Sequence, residues 1–248
     1  MKKRKRYSKR ILCNLYFNFI ISKPTVLILI IGLGLVITGL YFASNPFLDK
    51  IDYFKSSDDF HIMYLTQSIF IISVFNSILI AAISLSLANQ SLKFDVLFIP
   101  NFKRKAICLC KLIAGSIFVF IICLFEFIIL FLIPLIRYPY FVITLSDLTG
   151  VVYIMLLCLY EFVLNMIVIT ILPIVFTPMI ILFLEIVVKL ICNNYDKISK
   201  TLTGFIPVLE VSNETIAIDM KYSYMSIIWI ILYILLYFNV YNIKDIDG

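Results

Sequence analysis

An all-α, polytopic membrane protein with six transmembrane helices is the fold class this sequence predicts, and three observations predict it. The 248 residues are 62% hydrophobic, more apolar surface than a soluble domain of this length can hide. The apolar residues fall into runs of about 20 or more, the length that crosses roughly 30 Å of hydrocarbon. The lysines and arginines concentrate in alternate connecting segments, as the positive-inside rule requires.

The chain opens on a basic tail, Lys2, Lys3, Arg4, Lys5, Arg6, Lys9 and Arg10, the main source of the net charge of +6. Beside apolar spans, such a tail reads as a cytoplasmic anchor facing anionic lipid rather than a nucleic-acid arm. No small-x-small cleavage site follows the first long apolar run, so the segment is expected to be retained. Arg6, Arg10, Asn14, Asn18 and Ser22 recur every four residues among Leu12, Leu15, Tyr16, Phe19 and Ile20. This is a polar stripe on an apolar helix, the pattern of a helix lying in the interface. Its competitor is a simple extension of the first span, against which Lys23-Pro24 supplies a break. Residues 1–23 are therefore read as tail plus interfacial helix, 24–241 as the six-span domain and 242–248 as a cytoplasmic C-terminus.

Span one is Pro24 to Phe42, with Gly32, Gly34 and Gly39 offering close helix contact. Span two is His61 to Ala88, long enough to tilt. Span three runs from about Ile107 to Ile136. Val151 to Cys192 would be roughly 60 Å long as one helix, so Pro173 and Pro178 are expected to bracket a turn between spans four and five. Span six is Tyr224 to Tyr241. Between the last two, the 193–222 segment carries Gly204, Pro207 and the apolar run from Phe205 to Leu209, and reads as a short re-entrant or interfacial element or as a plain connector. With both termini inside, Lys23, Lys93, Lys103, Arg104, Lys105 and Lys244 are cytoplasmic, while Arg137 and most acidic residues lie outside.

Enzyme chemistry finds little support. The chain has no Gly-x-x-x-x-Gly-Lys-[Ser/Thr] and so no P-loop. One histidine, His61, excludes His-Glu-x-x-His sites, and no Gly-x-Ser-x-Gly or Ser/His/Asp set is present. Cys108-x-Cys110 lacks a second pair, so the six cysteines read as small hydrophobes rather than metal ligands. Three carboxylates fall at membrane depth. Glu185 precedes Lys189 by one turn and is read as its ion-pair partner. Glu126 lies ten residues before the outer end of span three and Glu161 ten residues after the outer start of span four, which predicts matched depth. Asn165 lies one turn from Glu161, and Asn76 adds a polar group in span two. These four either line a substrate path or hydrogen-bond between helices and hold the bundle together.

The loop between spans two and three carries an apolar face. Phe94, Leu97 and Phe98 lie at helical spacing before Pro100, and the basic cluster Lys103, Arg104 and Lys105 follows. The run Asp95-Val-Leu-Phe-Ile-Pro100-Asn-Phe-Lys-Arg104-Lys-Ala-Ile, then Lys111, resembles the coupling-helix loop of ABC-2 type ABC transporter permeases, although Asn101-Phe102 stands where many members have a small residue and Ser. The resemblance implies a cytoplasmic coupling helix formed by Phe94, Asp95, Leu97, Phe98, Pro100, Lys103 and Arg104. It also implies two copies of a P-loop ATPase that hold the ATP and Mg, with no cofactor in this chain, and a second permease in a homo- or heterodimer. The short, Ile- and Phe-rich chain looks most like exporters of amphipathic peptides of the phenol-soluble-modulin and bacteriocin-immunity group. Lipid, drug and ion exporters share this architecture, and a stand-alone membrane sensor or assembly protein is the reading from another class.

Overall fold

A computed structural model of the chain describes residues 9–21, 23–44, 57–98, 102–137, 141–172 and 220–243, with isolated helical positions at 180, 183, 184 and 187. All regular structure among these residues is α-helical. The elements are α1 (Lys9–Ile20), α2 (Lys23–Ser44), α3 (Ser57–Phe98), α4 (Arg104–Arg137), α5 (Leu145–Ile171) and α6 (Met220–Ile243). Four stretches are long and apolar enough to cross a membrane: Thr25–Ser44, Gln67–Leu87, Arg104–Arg137 and Gly150–Ile171. A shorter apolar stretch, Ile227–Tyr241, lies on α6 where span six is expected. The expected fifth span, the Glu185–Lys189 pair, nearly all of the 193–222 segment, the basic residues before Lys9 and the C-terminus from Lys244 lie outside the described residues.

Helix ends follow local chemistry. α1 stops at Ile20 and α2 starts at Lys23, with Pro24 in its first turn, where a missing N–H costs nothing. The N-terminal segment is therefore a separate helix and not an extension of span one. Leu12, Tyr16 and Ile20, one turn apart, are buried, while Arg10, Asn14 and Asn18 on the other side are exposed. The apolar stripe meets protein: α1 packs against α4 and α3. The Cys110 thiol donates to the Lys9 carbonyl (3.7 Å), and Phe17 meets Phe118 edge-on (5.8 Å between centroids), so α1 runs parallel to the first turns of α4.

α5 opens with a capping box. Thr144 Oγ1 accepts from the Asp147 amide (3.4 Å), and the Asp147 carboxylate accepts from the Thr144 amide (2.7 Å). The helix closes at Ile171, and Leu172 leaves the α region (φ −114°, ψ 85°), as the residue before a proline is driven to do. Span four thus ends where Pro173 predicts.

α3 departs from expectation. No glycine or proline interrupts Ser57 to Phe98, and the helix runs unbroken for 42 residues. At 1.5 Å per residue that is about 63 Å, twice the thickness of the hydrocarbon. The apolar part ends at Leu87, and Ala88 to Phe98 extend it by about 16 Å. Phe94, Asp95, Leu97 and Phe98, expected in a coupling helix between spans two and three, lie in the last turns of α3.

Side-chain contacts orient the bundle. At one end, the Arg137 guanidinium lies 4.1 Å from the Tyr41 ring centroid and donates to the Tyr41 carbonyl (3.3 Å) and to Ser44 Oγ, so the C-terminal ends of α2 and α4 are together. The start of α3 joins them there, since the Tyr64 hydroxyl donates to the Leu130 carbonyl (2.9 Å) and its ring meets Phe141. The opposite, basic end holds Lys9, Lys103, Arg104 and Lys111, and Tyr241 near the end of α6 reaches Lys111. α3, α5 and α6 therefore run toward the basic end, and α2 and α4 away from it. α3 is central, packing against α1, α2, α4 and α5.

Of the three glycines on span one, two face α3. A Cβ on Gly32 would fall 1.6 Å from Phe75 and one on Gly39 3.2 Å from Ile71, whereas Gly34 has open space. Gly115 on α4 does the same work against Phe162 on α5, with 2.0 Å to the ring.

Candidate functional site

All four polar residues expected at membrane depth are buried inside the bundle: Asn76, Glu126, Glu161 and Asn165. None faces lipid, as the cost of ionisable and amide groups in hydrocarbon dictates. They form two separate polar stations on either side of α3. On the α5 side, Ser77 Oγ donates to Glu161 Oε2 (3.1 Å), and the Asn165 amide donates to the Glu161 main-chain carbonyl one turn back (2.9 Å). On the α4 side, the Asn76 amide lies 3.9 Å from Cys123 Sγ, and Asn76 is also the polar neighbour of the Glu126 carboxyl. Among the described residues neither oxygen of Glu126 has a hydrogen-bond partner, and its side chain is 0% exposed.

The two glutamates, expected at matched depth on adjacent helices, stand against consecutive residues of α3. Asn76 and Ser77, the residues of α3 that face the two carboxyls, are consecutive and so point about 100° apart around the helix. The glutamates share α3 as a neighbour without hydrogen-bonding to each other.

The residues expected to couple to a partner lie at the basic end. Phe94, Asp95, Leu97 and Phe98 are helical within the last turns of α3, where the i, i+3, i+4 spacing places Phe94, Leu97 and Phe98 on one face. Pro100 falls outside the described residues. Lys103 is exposed and accepts the first amides of α4 at its carbonyl (Ala106, 2.8 Å; Ile107, 3.3 Å), and Arg104 is half-buried. α4 has no acidic residue in its first turn, so its positive dipole end carries Arg104 and Lys105. That arrangement favours an anionic surface beside it.

Sequence reasoning missed how the basic end is tied together. Lys111 is buried, with its ammonium 5.5 Å from the Tyr16 centroid and 5.3 Å from the Tyr241 centroid. Two tyrosine faces on one cation link α1, α4 and α6. A lysine at the sixth position of an apolar run that starts at Ala106 is the signal for such a site, but nothing local to it specifies the tyrosines. Cys13, Cys108, Cys110, Cys123 and Cys158 are not in disulfides, and no group of three or more His, Cys, Asp or Glu suited to a metal occurs among the described residues. The chain matches no protein-family model, no curated protein and no solved structure.

Proposed function

We propose that this chain is the transmembrane permease subunit of an ATP-driven exporter of the ABC-2 type, moving amphipathic peptides or similar hydrophobic compounds out of the cell. ATP hydrolysis belongs to a separate P-loop subunit in two copies, and a second permease completes the pore. The basic end is cytoplasmic by the positive-inside rule. The observation that carries the reading is the hairpin of α3 and α4. Both helices outrun the thickness of a bilayer, and they meet at the basic end with the Phe94, Leu97 and Phe98 face on one arm and Lys103–Lys105 on the other. Apolar residues at helical spacing, followed in the sequence by a cluster of cations beyond the apolar part of the bundle, suit a soluble partner with an acidic cleft.

Topology supports six crossings. α5 and α6 both run toward the basic end, so the chain between Ile171 and Met220 joins opposite ends of the bundle, as a fifth span would. Glu161 with Asn165, and Glu126 with Asn76, are the polar groups such a path would offer to the lysines of an amphipathic peptide. A stand-alone membrane sensor or assembly protein remains the second reading, and the unbroken course of α3 favours it, because no separate short helix precedes Phe98.

Leu97→Asp separates the two. Exchanging a docked leucine for a charge removes roughly 1.5–3 kcal/mol of apolar burial. The variant should insert normally, lose co-purification with a P-loop ATPase that the parent captures, and lose export. A Leu97→Asp protein that retains both, or a parent protein that captures no ATPase, would end the permease reading.

A further inference from the structure

α4 contains one proline, Pro134, three residues before its last residue, Arg137. A proline has no N–H, so the carbonyl four residues earlier, that of Leu130, loses its helical partner. Tyr64 of α3 supplies the replacement, donating its hydroxyl to Leu130 O at 2.9 Å, with the ring fully buried and packed edge-on to Phe141. Beyond the proline, Arg137 holds the last turn of α4 to α2 through the Tyr41 carbonyl, Ser44 Oγ and the Tyr41 ring. The end of α4 is thus fastened to α3 before the proline and to α2 after it, and the helix's own ladder is interrupted between the two fastenings.

What lies beneath is the α3–α4 seam. One turn below Leu130 is Glu126, whose carboxyl has no hydrogen-bond partner among the described residues, and one turn further is Cys123, against Asn76. We propose that the Tyr64–Leu130 clasp, hinged at Pro134 and braced by Arg137, is a gate at the non-basic end of the bundle. Its opening admits water and solutes to the Glu126 station. The closed form is the one seen here: Glu126 and Cys123 are shut off from solvent, at 0% and 1% exposure. The inference concerns the bundle alone and stands whether or not an ATPase binds the other end.

Cys123 is a native reporter at the bottom of the seam. The full chain is placed in sealed vesicles of both orientations and treated with a membrane-impermeant maleimide, and modification of each cysteine is read by mass spectrometry. Parent Cys123 should be protected. Loss of one hydrogen bond shifts such an equilibrium by about tenfold, so Tyr64→Phe, which keeps the ring, should raise the Cys123 labelling rate about tenfold, and Tyr64→Phe with Arg137→Gln should raise it further. The rise should occur in one orientation only, the one presenting the end that carries Arg137. Pro134→Ala returns an N–H to α4, satisfies Leu130 from within the helix and makes the tyrosine hydroxyl dispensable. In that background Tyr64→Phe should leave labelling at the parent rate. The proposal is overturned if Cys123 stays protected in the double variant, if Pro134→Ala fails to cancel the Tyr64→Phe effect, or if buried Cys158 on α5 gains reactivity in step with Cys123, which marks general loosening.

Discussion

Gly32 and Gly34 are two residues apart on the same helix, equivalent by composition, and they should respond to alanine in opposite directions. A Cβ on Gly32 would sit 1.6 Å from Phe75 Cε2 and 1.9 Å from Cζ, inside the ring rather than beside it. Phe75 is itself buried, at 7% exposure, so it has little room to turn away. Restoring ordinary contact requires α2 and α3 to part by about 2 Å, and overpacking of this kind costs about 1–3 kcal/mol. Alanine also gains up to about 1 kcal/mol over glycine in helix propensity. That gain is common to both sites, and at Gly34, where nothing lies within 4 Å, it is the whole effect. The difference between Gly34→Ala and Gly32→Ala therefore isolates the packing of α2 on α3 at about 1–3 kcal/mol, with Gly34→Ala neutral or stabilising. Equilibrium unfolding in mixed micelles measures both, and Phe75→Leu should recover most of the loss in the Gly32→Ala background. Equal stability of the two alanine variants would refute the helix register on which the whole bundle is described.

Two further outcomes follow from side chains at the core. Lys111→Met removes the cation shared by Tyr16 and Tyr241, worth about 0.5–2 kcal/mol, and should free α1 from α4, read as faster tryptic cleavage at Lys9 and Arg10. Ser77→Ala takes the hydroxyl donor from Glu161 and should cost about 1–3 kcal/mol, whereas Ser68→Ala on the same helix removes a hydroxyl with no partner among the described residues and should cost nothing or stabilise slightly; thermal unfolding in detergent compares them.

Much of the bundle was legible from punctuation and hydropathy. Pro24 and Pro173 mark real helix boundaries because each acts on its own neighbours through φ and the missing N–H. The burial of Asn76, Glu126, Glu161 and Asn165 was legible because hydrocarbon leaves such groups one place to go. The register between helices was not. A 3.6-residue period tells which residues share a face, not which face meets α3, so Gly34 looked as good a contact as Gly32. Counting residues from span ends put Glu126 level with Glu161, and Asn76 and Ser77 beside them are consecutive, but the count could not tell that the two carboxyls lie on different sides of α3. Pro100 was read as closing a separate short helix, yet nothing between Ala88 and Phe98 breaks the one already running.

That unbroken course changes how force would travel in the proposed exporter. A short coupling helix joined to its span by a flexible turn would transmit position through that turn. Here Leu97 and Asn76 belong to one helix, twenty-one residues or about 32 Å apart along its axis. A displacement imposed at the basic end has no hinge in which to dissipate before it reaches the two polar stations. Both stations face α3, Glu161 through Ser77 and Glu126 beside Asn76, so translation or rotation of this one helix disturbs the two together. At the far end the same helix carries Tyr64, whose hydroxyl donates to the Leu130 carbonyl of α4, one turn from Glu126. An unbroken α3 therefore joins the proposed docking residues, both buried carboxyls and the contact at Leu130 in a single helix, which is a physical reason for the sequence to contain no glycine or proline from Ser57 to Phe98.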